Sequence, residues 1–142
     1  MSLTGQRGLT LVTTLILLAI LGALFWILSF GEAYWDDLEV KGILHQAANL
    51  GYHDSNDEVV RNLVFHKLHE VFDEKVEDHG RIVMRMKLEL NREDVQIERS
   101  QIPPRIDIWV TYSRPVNLFL IGKERTVTFN DHVSQDLSPV KW

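Results

Sequence analysis

The chain has no cysteine, which excludes disulfides, thiolate catalysis and cysteine-based zinc sites together. It has no acidic residue before Glu32, and no charged side chain of either sign between Arg7 and Glu32. The whole acidic excess, a net charge of −5 for the chain, therefore falls beyond Phe30. An acidic segment is a poor match for phosphates, so no nucleic-acid partner is expected. No internal repeat or low-complexity tract is present, and residues 31–142 suffice for one modest core and not for two.

What the first part of the chain does have is an apolar run from Leu9 to Phe30, with Gly22 as its single glycine and no proline. As a helix it covers roughly 33 Å, enough to cross the hydrocarbon core of a bilayer. Arg7 precedes the run, and Glu32, Asp36, Asp37 and Glu39 follow it. The positive-inside rule then puts residues 1–8 in the cytoplasm, a transmembrane helix at 9–30 and an extracytoplasmic domain at 31–142. Phe25, Trp26, Tyr34 and Trp35 supply aromatic rings for the outer boundary. A cleaved signal peptide is the competing reading. Its apolar region is normally shorter and ends at small residues, whereas bulky Trp26, Phe30 and Trp35 stand where that site would be.

Beyond the run the apolar period is first helical. Leu38, Val40, Ile43, Leu44, Ala47 and Leu50 predict a helix from Trp35 to Leu50, continuing from the membrane helix through a hinge at Gly31 and ended by Gly51. Ser55 to Glu58 reads as a capping box, and Val60, Leu63, Val64, Leu68, Val71 and Phe72 as the stripe of a second helix from Asn56 to about Lys75. The acidic tract Asp73 to Asp78, closed by Gly80, reads as a loop. The period then falls to two. Strands are predicted at Met84 to Leu90, Val95 to Glu98, Ile106 to Tyr112 and Arg125 to about Val133, with breaks at Asn91 to Asp94 and around Pro103-Pro104. The expected fold class is α+β: an N-terminal transmembrane helix, then two helices packed on a small antiparallel meander.

Gln6-Arg7-Gly8-Leu9-Thr10-Leu11 before the apolar run, Arg92 to Arg99, the strand ending at Tyr112, and Phe129 to Val133 together resemble a family of short single-pass bacterial inner-membrane proteins whose N-terminus is similar to that of type IV prepilins. The resemblance implies the bacterial inner membrane, with a small periplasmic α+β domain, and carries no catalytic residue. The prepilin comparison makes Gly8 and Leu9 a candidate processing site. Prepilins carry a glutamate at the fifth position of the mature helix. Here that position is Thr13, which offers no counter-charge to a neighbouring amino terminus.

Outside the anchor, catalytic and metal readings find little support. His66 and His69 share a helix face that lies away from the apolar stripe, and no third ligand is evident, so no metal or other cofactor is expected. Asp36-Asp37, Asp57-Glu58, Asp73-Glu74 and Glu77-Asp78 lack EF-hand spacing and read as solvated carboxylates. No nucleophile, base and orienting group converge, so the chain is not expected to be an enzyme. The candidate contacts for a protein partner in the envelope are Trp109, on the polar side of its strand, and Leu118, Phe119 and Leu120 in the apolar segment Val116 to Ile121. That segment reads either as a buried strand, with Phe119 on the opposite face from Leu118 and Leu120, or as an apolar loop that meets a partner or the membrane interface. Ala19 and Ala23 have the spacing of close helix contacts in a bilayer. The expected function is a membrane-anchored, non-catalytic binding or scaffold protein, with the lipid bilayer and an envelope protein as partners. The alternative is a pilin-like subunit processed after Gly8 and assembled into a filament.

Overall fold

One helix, α1, runs unbroken from Gly5 to His53 in the computed structural model, which describes residues 5–139, with side chains from Thr10 onward. Its 49 residues rise over roughly 73 Å. The helices expected on either side of a hinge at Gly31 are thus one continuous helix. A lone glycine costs a helix only about 1 kcal/mol, and no proline near Gly31 adds to that. The N-terminal half is bare. Its most apolar 18-residue window has a mean hydropathy of 2.7 and is 0% buried, so α1 is long and apolar enough to cross a membrane.

From Ala33 onward α1 is a domain helix. Val40, Ile43, Leu44, Ala47 and Ala48 are buried on one face, whereas Leu38 points to solvent. Gly51 does not end the helix; it sits in the last turn, where a Cβ would come within 2.6 Å of the Ile106 side chain. Close packing of helix on strand is the reason glycine fits there.

The second helix, α2, spans Asp57–Phe72 and buries Val60, Val64, Leu68 and Phe72, leaving Val71 exposed. Its cap is Asn56, not Ser55: the Asn56 side chain accepts from the Glu58 amide at 3.0 Å. Asp57 and Glu58 lie in the first turn, where the helix dipole favours negative charge. The helix stops at Phe72 because Asp73 is already extended.

The acidic tract read as a loop is a strand. β1 (Asp73–Asp78) pairs antiparallel with β2 (Arg81–Met86) around His79 and Gly80, whose φ values of 49° and 76° give the two left-handed residues of a tight hairpin turn. Charge hid it. Along β1 only Val76 is apolar, and cross-strand pairs such as Glu74 with Arg85 and Asp78 with Arg81 complement each other without a buried face. Met84 is consequently exposed, and the predicted strand to Leu90 ends at Met86. Leu88 then enters the core, and Glu89 makes an isolated bridge to Ser113.

A short 3-10 turn at Arg92–Asp94, capped by Asn91, leads to the main sheet. β3 (Val95–Gln101), β4 (Pro104–Asn117) and β5 (Glu124–Asp136) lie in the order β3-β4-β5, all antiparallel. Two sheets, of two and three strands, therefore replace the single meander expected. Along β4 the side chains of Ile106, Ile108, Val110 and Tyr112 face α1 and α2, and with Leu44, Val64, Leu68, Phe72, Leu88 and Val95 they form the core. β4 runs antiparallel to α1: its start lies by Gly51, and its end reaches the height of Ser29.

Candidate interaction surface

The chemistry of this domain is concentrated on the seam between α1 and the sheet. Asp36 and Asp37, read from sequence as solvated, are both buried. The period of α1 places them beside Ala33 and Val40 on the covered side, so they face β4 and β5. Asp36 Oδ2 lies 2.6 Å from Arg114 Nε, and the same guanidinium reaches Glu32 Oε1 at 3.0 Å. Neither the Asp36 Oδ2 nor the Arg114 Nε has an aligned hydrogen bond, so charge rather than hydrogen-bond geometry holds that pair.

At the next residue, Asp37 accepts from the Tyr112 hydroxyl at 2.8 Å and from Lys41 Nζ at 2.5 Å, and Lys41 stands 3.6 Å from Asp131. Burial works to raise the pKa of Asp37, but the Lys41 and Tyr112 bonds outweigh it, and the carboxyl stays below its ordinary value. Asp131 is the opposite case. Burial, then the bond and the negative charge it meets at Asp37, push it up to about 6. Burial and the Asp37 bond likewise raise the Tyr112 hydroxyl. The pair Asp37–Asp131 thus favours holding one proton between two carboxylates. Apart from Asp37–Lys41, which lies within α1, these contacts join α1 to β4 or β5, so the seam's evident work is mechanical.

Trp109 lies on the face of β4 opposite to Ile108 and Val110, away from both helices. Its ring stacks on His132, the centroids 4.7 Å apart and the planes 10° off parallel. His132 Nε2 lies 2.9 Å from Asp107 Oδ1, and Arg105 Nε donates to Asp107 at 2.8 Å. Burial opposes the charge on Asp107, but Ser134, His132 and Arg105 outweigh it and lower its pKa. A shallow groove of about 340 Å³ beside Trp109 is lined by Asp94, Gln96, Glu98, Thr111 and Asn130. Trp109 is thus an amphipathic ring held in one orientation beside an acidic surface.

Leu118, Phe119 and Leu120 are not in a strand. β4 ends at Asn117, and residues 118–121 form the turn into β5. The alternating faces expected for a strand are therefore replaced by a tip in which Leu118 is half-buried, while Phe119, Leu120 and Ile121 are exposed. Leu120 takes a left-handed φ of 65° and Gly122 one of 67°. The Phe119 amide donates to Ser29 Oγ on α1 at 3.0 Å. Val116, near the end of β4, is buried. Of the two readings of this segment, the loop fits residues 118–121 and the strand does not; their apolar side chains left the choice open, because the usual turn signal begins only at Gly122.

His66 and His69 are both exposed, and His69 Nδ1 lies 3.0 Å from Asp73 Oδ1. A further apolar surface that sequence reasoning missed is β2, where Ile82, Val83 and Met84 stand exposed in succession. Gly8 and Leu9 belong to the helical backbone of α1, but their side chains lie outside the described residues, as does the processing reading that rests on them. No protein-family model, curated protein or solved structure matches this chain.

Proposed function

We propose that this chain is a membrane-anchored, non-catalytic binding or scaffold protein of the bacterial envelope, its N-terminus cytoplasmic and its domain periplasmic. The observation that carries the reading is α1 itself, bare and apolar over its N-terminal half and the spine of the domain core over the rest. Such a helix fixes a folded domain at the membrane surface without a flexible linker. Trp109, on the face of the sheet away from α1, is the contact offered to a protein partner. The test has two arms. Protease added outside the inner membrane should digest the chain beyond about Tyr34, and a photo-crosslinker in place of Trp109 should give one discrete adduct in membranes. Release of the intact chain by salt alone would remove the anchor. Absence of any adduct at Trp109 would remove the binding reading.

The same unbroken helix favours a second reading, a pilin-like subunit processed after Gly8 and assembled into a filament through lateral helix contacts. Thr13 argues against it, because it cannot neutralise a neighbour's new amino terminus. Intact-mass measurement separates the two. The scaffold keeps the residues before Leu9, whereas a mature chain starting at Leu9 would establish the pilin-like reading.

A further inference from the structure

We infer that the tip of the β4–β5 hairpin, Leu118 to Gly122, is a second membrane contact, seated in the interfacial layer where α1 leaves the bilayer. The inference rests on the reading of α1 as the anchor and goes beyond it by assigning a lipid surface to a part of the folded domain. Position is the first argument. From Thr10 to Ser29, α1 rises roughly 29 Å, about the thickness of a hydrocarbon core. Ser29 therefore lies at the edge of that core, and it is the residue whose hydroxyl receives the Phe119 amide at 3.0 Å.

Backbone chemistry is the second. A segment entering a medium without water must satisfy its own amides. In this turn Leu118 N donates to Lys123 O at 2.9 Å, Ile121 N to Leu118 O at 3.3 Å, Gly122 N to Leu118 O at 3.2 Å and Phe119 N to Ser29. Four of the five amides from Leu118 to Gly122 thus donate to acceptors within the protein, and the exposed side chains of the tip are apolar. Leu120 is 86% exposed and Ile121 55%, both projecting from a left-handed turn that a leucine would not adopt for solvent's sake.

Continuity is the third argument. Trp26 packs 5.4 Å from Tyr34, and Tyr34 meets Phe129 of β5 edge-on at 5.8 Å, so an aromatic band crosses from α1 to the strand that leaves the tip. Interfacial layers favour such rings. Lys123 and Arg125, both exposed, follow the tip at the height of lipid phosphates. A bilayer meets all of these requirements at once.

The absence of cysteine makes the test direct, because Leu18→Cys, Ile102→Cys and Leu120→Cys each provide one site for a nitroxide label in the full chain. The variants are reconstituted in phosphatidylethanolamine–phosphatidylglycerol vesicles, and label collisions with oxygen, which concentrates in lipid, are compared with collisions with a nickel chelate, which stays in water. The label at position 18 should report lipid and that at 102, on the distal turn, water. The label at 120 should show an oxygen-to-nickel ratio several-fold above that at 102. If 18 reports lipid and 120 matches 102, the tip assignment is overturned and the anchor stands. If 18 itself reports water, both fall. Shielding of 120 from both reagents would show a protein contact, such as a second copy of the chain, and would also overturn the lipid assignment.

Discussion

Replacing Asp131 by asparagine should stabilise the protein, and by an amount that grows with pH. Asp131 is buried, its Oδ2 has no hydrogen-bond partner, and its pKa is raised from 3.8 to about 6. Between those values the native state holds a proton that the unfolded chain has released, so this group's contribution to stability falls as pH rises from about 4 to about 6 and is level above. Each pKa unit is worth about 1.4 kcal/mol, and the shift, which already includes the Lys41 attraction, sets an upper bound near ~3 kcal/mol on the gain at neutral pH. Asparagine keeps the shape and can donate to Asp37. Chemical denaturation of the full chain in detergent, followed by circular dichroism from pH 4 to 7.5, measures the difference between variant and wild type. Histidine titrations are common to both proteins and cancel. A difference that does not change with pH would refute the shared-proton account, as would a variant uniformly less stable than wild type.

Arg114→Met should cost about 3 to 5 kcal/mol, because it leaves Asp36 charged, buried and unpaired, and the double variant with Asp36→Leu should recover most of that loss in the same denaturation assay. Gly51→Ala should lower stability by about 1 kcal/mol, the overpacking of Ile106 outweighing the gain in helix propensity, whereas Gly42→Ala, with open space at its Cβ, should raise it by up to about 1 kcal/mol.

Elements with a buried face were legible in the sequence. The stripe Val60, Val64, Leu68 and Phe72 placed α2, and the alternation Ile106, Ile108, Val110, Tyr112 placed β4, because burial selects apolar residues at the period of the backbone. β1 was illegible for the same reason, since a charged strand with no buried face leaves no apolar record. The seam was missed on different grounds. Asp36 and Asp37 look like any surface carboxylates until Arg114, Tyr112 and Asp131 are brought to them from far along the chain. Long-range ion pairs have no local signature, and an apolar turn such as Leu118 to Ile121 has one that a buried strand shares.

The ladder of Glu32, Asp36, Asp37 and Lys41 against Arg114, Tyr112 and Asp131 clamps α1 to the sheet with no bend at Gly31. With α1 as the proposed anchor, helix and domain turn as one lever whose fulcrum is the bilayer. From Ser29 to Gly51 the covered arm is roughly 33 Å long, so a helix tilt of about 20°, ordinary for a single span, carries its distal end sideways by about 11 Å. Under that anchoring, any change of tilt moves Trp109 and the distal turn relative to the membrane.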